Sequence, residues 1–210
     1  MRLIVAGCEY TGKTTLVQAL SEWGQARGIR FHMDDHFSVP DTQTLKDRAD
    51  QEAMHAAPEA IKERFQRFQL AYHVRLLHKY ENILLVGFHI EEAVYGQRYY
   101  YPGLGRSFEM PQSWERDMPS DVILAMLTAR PEVIEKRMTD ALHEFSVVPK
   151  NDIRTVLDAF QQEFRASWII KKFQIDTSDL SPDDLLPAFL KASAPYLTEK
   201  DLLLRMQTQG

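Results

Sequence analysis

The chain has almost no cysteine, no long apolar run and no excess of positive charge, and each shortage excludes something. Its 210 residues include one cysteine, Cys8. A lone thiol cannot close an internal disulfide, so a stapled secreted scaffold is excluded and a reducing, cytoplasmic compartment is expected. No stretch of 18 apolar residues occurs, and the N-terminal run Leu3-Ile4-Val5-Ala6 is too short for a secretory signal, so no membrane partner is expected. Twenty-five Lys and Arg stand against 30 Asp and Glu, a net charge of −5. That balance offers no basic field for general nucleic-acid binding. The seven histidines form no H-E-x-x-H pattern. His73 and His78, five apart, do not share a helix face, so no zinc site is expected. Internal repeats and low-complexity segments are also missing.

What remains is the profile of one ordinary globular domain over 1–210, with 44% hydrophobic and 26% charged residues. Short apolar runs alternate with longer amphipathic ones, which predicts α/β with a mostly parallel sheet. Strands are expected at 3–6, 29–33, 83–88, 122–127 and 173–175. Helices are expected at 12–26, 58–80, from Pro131, from an Asn151 cap, and near 182–192 and 198–207. In the long helix, Ile61, Phe65, Phe68, Tyr72, Leu76 and Tyr80 recur at helical spacing and form the expected apolar face. The stretch 143–150 is a polar break, and a helical tail is expected near 195–210.

One motif carries chemistry. Gly7-Cys8-Glu9-Tyr10-Thr11-Gly12-Lys13-Thr14 matches G-x-x-x-x-G-K-[ST] in full, after an apolar strand and at the start of an amphipathic helix. The glycines let the backbone curl so that successive N–H groups point at phosphates, and the helix N-terminus adds its positive end. A three-layer P-loop NTPase fold with about five strands follows as an expectation. The expected ligands are ATP and magnesium, held by Gly7, Tyr10, Thr11, Gly12, Lys13, Thr14 and Thr15. Lys13 would reach the β/γ-phosphates and Thr14 would ligate magnesium. Cys8 reads as a small filler residue or as an activated thiol beside a positive site; filler is favoured.

No N-K-x-D segment is present, and the third apolar run ends Leu85-Val86-Gly87-Phe88-His89 without a closing Asp. The sequence resembles the nucleoside and nucleotide kinases, thymidylate and deoxynucleoside kinases among them. Thr128-Ala129-Arg130-Pro131 through Arg137 is similar to the passage that leads into their lid. Ile175-Asp176-Thr177-Ser178 is similar to their last strand and the turn near the adenine. Glu91 to Gly96 sits where thymidylate kinases carry a substrate-side segment. His32-Met33-Asp34-Asp35-His36-Phe37 is similar to the D-D-x-[FY] segment of uridine kinases, in which an Asp acts as base. The resemblance implies an ATP-dependent phosphotransferase with a nucleoside or nucleotide as acceptor. Its catalytic groups would be Lys13, Asp35 as base and Arg137 as lid cation, with a lid near 137–150. Glu91 would serve magnesium or the acceptor. Arg98 and Arg106, flanking Tyr99-Tyr100-Tyr101, are acceptor-side candidates, since aromatics beside arginines can stack a base and hold a phosphate. The family's second lid arginine falls near Ala141, which is not basic. That keeps open a different class, a nucleotide-binding regulator with slow hydrolysis and a protein partner. The partner is otherwise a small-molecule acceptor, with a homodimer left open.

Overall fold

A computed structural model describes residues 1–35, 38–42, 44–104 and 111–206. His36, Phe37, Arg106 and the tail beyond 206 lie outside them.

Five strands form one sheet: β1 (Arg2–Gly7), β2 (His32–Asp35), β3 (Ile83–Val86), β4 (Ile123–Thr128) and β5 (Lys171–Asp176). Their order is β2-β3-β1-β4-β5, and every neighbouring pair is parallel. The central β1 pairs Leu3 with Leu84 on one side and with Ile123 on the other. Parallel strands buried on both faces need continuous apolar runs, and β1 from Leu3 to Ala6, β3 from Ile83 to Val86 and β4 from Ile123 to Leu127 supply them.

Side-chain alternation divides the core in two. Leu3, Val5, Leu84 and Ala125 face α1 (Lys13–Gln25) and α8 (Pro182–Ser193), which bring Leu16, Leu20, Leu185 and Phe189. Ile4, Ala6, Leu85 and Leu124 face the opposite layer. That layer holds α3 (Glu59–Lys79), α4 (Phe88–Tyr95), α6 (Pro131–Asp140) and α7 (Ile153–Ala166). It contributes Leu77, Ile90, Ile134 and Phe160. The result is helices, sheet, helices: a three-layer α/β fold. Three further α-helices are α2 (Arg48–His55), α5 (Pro111–Glu115) and α9 (Glu199–Met206), and short 3-10 and π turns join the elements. No helix among the described residues is long and apolar enough to cross a membrane.

Two expectations are corrected here. The third strand ends at Val86 and not Phe88, because Gly87 and Phe88 both take positive φ (78° and 63°) and turn the chain into α4. The face of α3 that packs inward is Gln66, Leu70, His73, Leu76 and Leu77. Ile61, Phe65, Phe68 and Tyr72 are instead among the exposed apolar residues. Their spacing marks a helix correctly, and its last members Leu76 and Tyr80 do face the core, but earlier in the helix two polar residues, Gln66 and His73, take core places.

Candidate nucleotide and acceptor site

The site follows from the strand order. β1 feeds α1 on one layer and its neighbour β3 feeds α4 on the other, so a crevice opens between their carboxyl ends. In open α/β sheets such a switch point is where ligands bind. Residues 7–14 curl there. Gly7 has φ 151°, Tyr10 has φ 64° and Gly12, which caps α1, has φ 96°. Gly12, at the N-cap of α1, has no side chain to cap the first N–H groups, and uncapped groups at a helix start suit an anion.

Lys13 lies deep in this loop. Its Nζ is 2.9 Å from Glu91 Oε1 and donates to the Gly7 carbonyl (2.5 Å) and the Cys8 carbonyl (3.2 Å). Burial opposes the charge on Lys13, but pairing with Glu91 outweighs it and holds the ammonium above its ordinary range. Glu91 reaches the loop from the first turn of α4. That helix is tied to α5 by a buried contact between His89 Nε2 and Glu115 Oε1 at 2.7 Å. Asp35, at the end of β2, borders the same space. Burial, then the Glu91 charge, push its carboxyl up to about 7, against the pull of Lys13.

These groups open onto one cavity of about 870 Å³. Its floor is residues 9–15. On the β2/β3 side it is lined by Asp35, Ser38, Val39, Pro40, Thr42, Val86, Glu91, Tyr95 and Tyr100. On the β4/β5 side lie Arg137, Thr177, Leu180 and Pro182, and residues 140–147 form a further wall. Arg137 is in the last turn of α6. Its guanidinium donates to the Tyr10 carbonyl (2.8 Å), the Thr177 carbonyl (2.8 Å) and Thr177 Oγ1 (3.2 Å), so it braces the loop to the turn after β5.

The structure therefore brings Tyr10, Thr11, Gly12, Lys13, Thr14, Thr15, Asp35, Glu91 and Arg137 to one cavity, with Gly7 shaping its floor. It does not bring Arg98 there. Residues Gly96–Tyr100 form a π-helical turn, with Tyr101 N–H donating to the Gly96 carbonyl at 2.9 Å. Tyr95 and Tyr100, five apart, share the face that lines the cavity, while Arg98 points to solvent. Arg106 lies outside the described residues. Cys8 is fully buried, and burial pushes its thiol up to about 12, which fits a packing residue and not an activated thiol. Glu9, to which the sequence reading gave no role, also matters, and Tyr10, Tyr95 and Thr177 make contacts it did not foresee. Glu9 and Tyr10 engage the stretch 141–149, Tyr95 holds the Glu9 backbone N–H through its hydroxyl (3.0 Å), and Thr177 bonds the Thr11 carbonyl (2.9 Å).

A parallel sheet in this order, with the phosphate loop after its first strand, defines a P-loop kinase-like fold. Solved structures agree at the level of fold. The YorR protein of Bacillus subtilis, in complex with phosphorylated GDP, is 18% identical over 91% of this chain and 94% of its own, with a TM-score of 0.62. Deoxyadenosine kinase from M. mycoides with bound dATP is 11% identical over 91% of this chain and 98% of its own, with a TM-score of 0.61. Thymidylate kinase from Candida albicans is 11% identical over 99% of this chain and 94% of its own, with a TM-score of 0.62. No family model matches the sequence, and no curated protein matches it.

Proposed function

We propose that this protein is a phosphotransferase that moves the γ-phosphoryl group of ATP to a hydroxyl of a small acceptor, a nucleoside or nucleotide. The observation that carries the reading is the meeting of a phosphate-loop lysine, Lys13, and a strand-end carboxyl, Asp35, around Glu91 at one cavity. The fold likeness to deoxyadenosine and thymidylate kinases supports it.

Phosphoryl transfer asks mainly for positioning and charge neutralisation. The loop N–H groups and Lys13 hold the phosphates. The acceptor enters against Asp35, Val39, Tyr95 and Tyr100. Its hydroxyl oxygen attacks the γ-phosphorus, the β–γ bridging P–O bond breaks to release ADP, and the hydroxyl proton passes to Asp35. Thr14, with Asp35 or Glu91 through water, is a donor set that suits magnesium, an oxygen-seeking ion that keeps several waters. Bound there, it would neutralise phosphate charge. Residues 141–149 act as the lid that keeps water from the reacting centre. Among the described residues on the β2/β3 side, the carboxyl groups are Asp35, pushed up to about 7, and Glu91, paired with Lys13, and neither is a cation that could hold an acceptor phosphate. That wall suits an uncharged hydroxyl compound better than a phosphate ester.

A second reading, a nucleotide-binding regulator with slow hydrolysis and a protein partner, is favoured by one observation. Arg137, the resemblance's lid cation, is engaged by the carbonyls of Tyr10 and Thr177, and Ala141 stands where a second would be expected. Incubation with magnesium, γ-labelled ATP and separate pools of nucleosides and nucleoside monophosphates decides between the two. A labelled acceptor is expected, with Lys13→Ala folded but slower by two orders of magnitude or more. Confirmed ATP binding with label only in inorganic phosphate would reject the phosphotransferase.

A further inference from the structure

The stretch 141–149 is held to the phosphate loop through two positions that the G-x-x-x-x-G-K-T pattern leaves unspecified. The Glu9 carboxylate accepts from Val147 N–H (3.1 and 3.0 Å to its two oxygens), from Val148 N–H (3.1 Å) and from the Ser146 hydroxyl (3.1 Å). The Tyr10 hydroxyl accepts from His143 N–H at 2.9 Å, and the two rings stack with centroids 4.4 Å apart and planes 21° from parallel. The loop side of this contact is itself fixed, since Glu9 N–H donates to the Tyr95 hydroxyl. On the far side, Val148 is buried in the core.

A rival anchor exists. Arg48 of α2 pairs with Glu144 and lies 4.9 Å over the Phe145 ring. Its two charges are 52% and 67% exposed, so water screens most of that attraction. Amide bonds to a part-buried carboxylate are charge-assisted and stronger. The Glu9 contact therefore dominates.

We propose that Glu9 is the positioning residue of the lid, so that phosphate loop and lid close as one unit. The same bonds do a second job. A bare carboxylate at this position would repel a triphosphate, and three donors from the lid satisfy it instead. Lid opening turns that charge back toward the phosphate site, so opening and nucleotide release favour one another. What closure achieves rests on the phosphotransferase reading; the contacts themselves do not.

Amide hydrogen exchange on the full chain without nucleotide tests the latch directly. In Glu9→Ala, the Val147 and Val148 amides should exchange at least about tenfold faster, while β1 and β4 amides stay as slow as in the unaltered chain. Glu9→Gln keeps an acceptor oxygen and should fall between the two. In turnover, ADP formed per acceptor phosphorylated should rise in Glu9→Ala and return toward normal in Glu9→Gln, a split that a merely structural residue would not produce. Unchanged exchange at Val147 and Val148 in a folded Glu9→Ala protein overturns the proposal. If that variant does not fold, Glu9→Gln replaces it, with faster exchange than in the unaltered chain expected at the Val147 and Val148 amides and an unchanged rate again overturning it. Should the unaltered chain phosphorylate no acceptor, the phosphotransferase reading falls, and the exchange rates still decide the latch.

Discussion

At the residue scale, the phosphotransferase reading makes Asp35 the group that sets the pH dependence. A carboxyl that ionises near 7 is half-charged at neutral pH, and only its charged form can take the acceptor proton. The acceptor kcat/KM should therefore rise with pH through about 7 and then level. Asp35→Asn should be flat with pH and lower by about 10²- to 10⁴-fold. Stability runs the other way. An unfolded Asp ionises near 3.9, so between about 4 and 7 the folded state holds a proton that the unfolded state has lost. The Asp35 contribution to stability is full below about pH 4 and is lost as pH rises through 7. At pH 8, Asp35→Asn should thus melt higher than the unaltered protein while being the poorer enzyme, the usual trade at a strained site. A variant that melts lower at pH 8 would mean that Asp35 gains more from its partners than burial takes away.

At the element scale, the junction of β1 with the phosphate loop has no room for a side chain. Gly7 pairs with Leu127 in the sheet register. Its φ is 151°, and a Cβ built there would lie 2.3 Å from the Leu127 carbonyl oxygen, a backbone atom that cannot move without parting β1 from β4. Gly7→Ala should lose about 2 kcal/mol or more in denaturant titrations and weaken ATP binding more than Thr15→Ala does, since it displaces the whole loop. This loop was legible in the sequence because its chemistry is local: eight consecutive residues carry the turn, the dipole and the lysine. The inner strands β1, β3 and β4 were legible for a similar reason, since buried parallel strands are continuous apolar runs; β2 was expected at 29–33 and lies at His32–Asp35, because an edge strand that ends in two carboxylates is not an apolar run. The face of α3 was not legible, because burial there is decided by what α4 and the turns that follow it present, and Gln66 and His73 defeat a rule based on hydrophobicity. Arg98 misled for a backbone reason. A π-helical turn at Gly96–Tyr100 changes which residues share a face, and periodicity assumed at 3.6 residues cannot anticipate it. Glu9 was invisible because its partners lie 137 to 139 residues away in sequence.

At the scale of the whole molecule, the single cysteine reports on how the site and the fold depend on each other. Cys8 belongs to the core layer under α3, α4 and α7, yet it is also the second residue of the phosphate loop. Its thiol is about 1% exposed and pushed up to about 12, so in the native state it offers neither access nor thiolate to an alkylating reagent. Labelling then requires the molecule to open. On the proposed nucleotide site, any opening that bares Cys8 also dismantles residues 7–14, so the open form would not bind nucleotide. By linkage, magnesium and ATP at 100 times the dissociation constant should slow labelling by about 100-fold, and the effect should grow in proportion to free nucleotide. The measurement is iodoacetamide incorporation against time, with and without nucleotide, in mild denaturant. Slowing that saturates well short of that factor would mean that a local motion exposes the thiol while nucleotide stays bound. No slowing at all would place the nucleotide away from residues 7–14, and the reading of the cavity would fall with it. Cys8 and Val148 belong to one core cluster, so adding Glu9→Ala separates the two levels. If freeing the lid alone bares the thiol, labelling without nucleotide rises in that variant. If only opening of the core bares it, labelling stays as slow as in the unaltered chain.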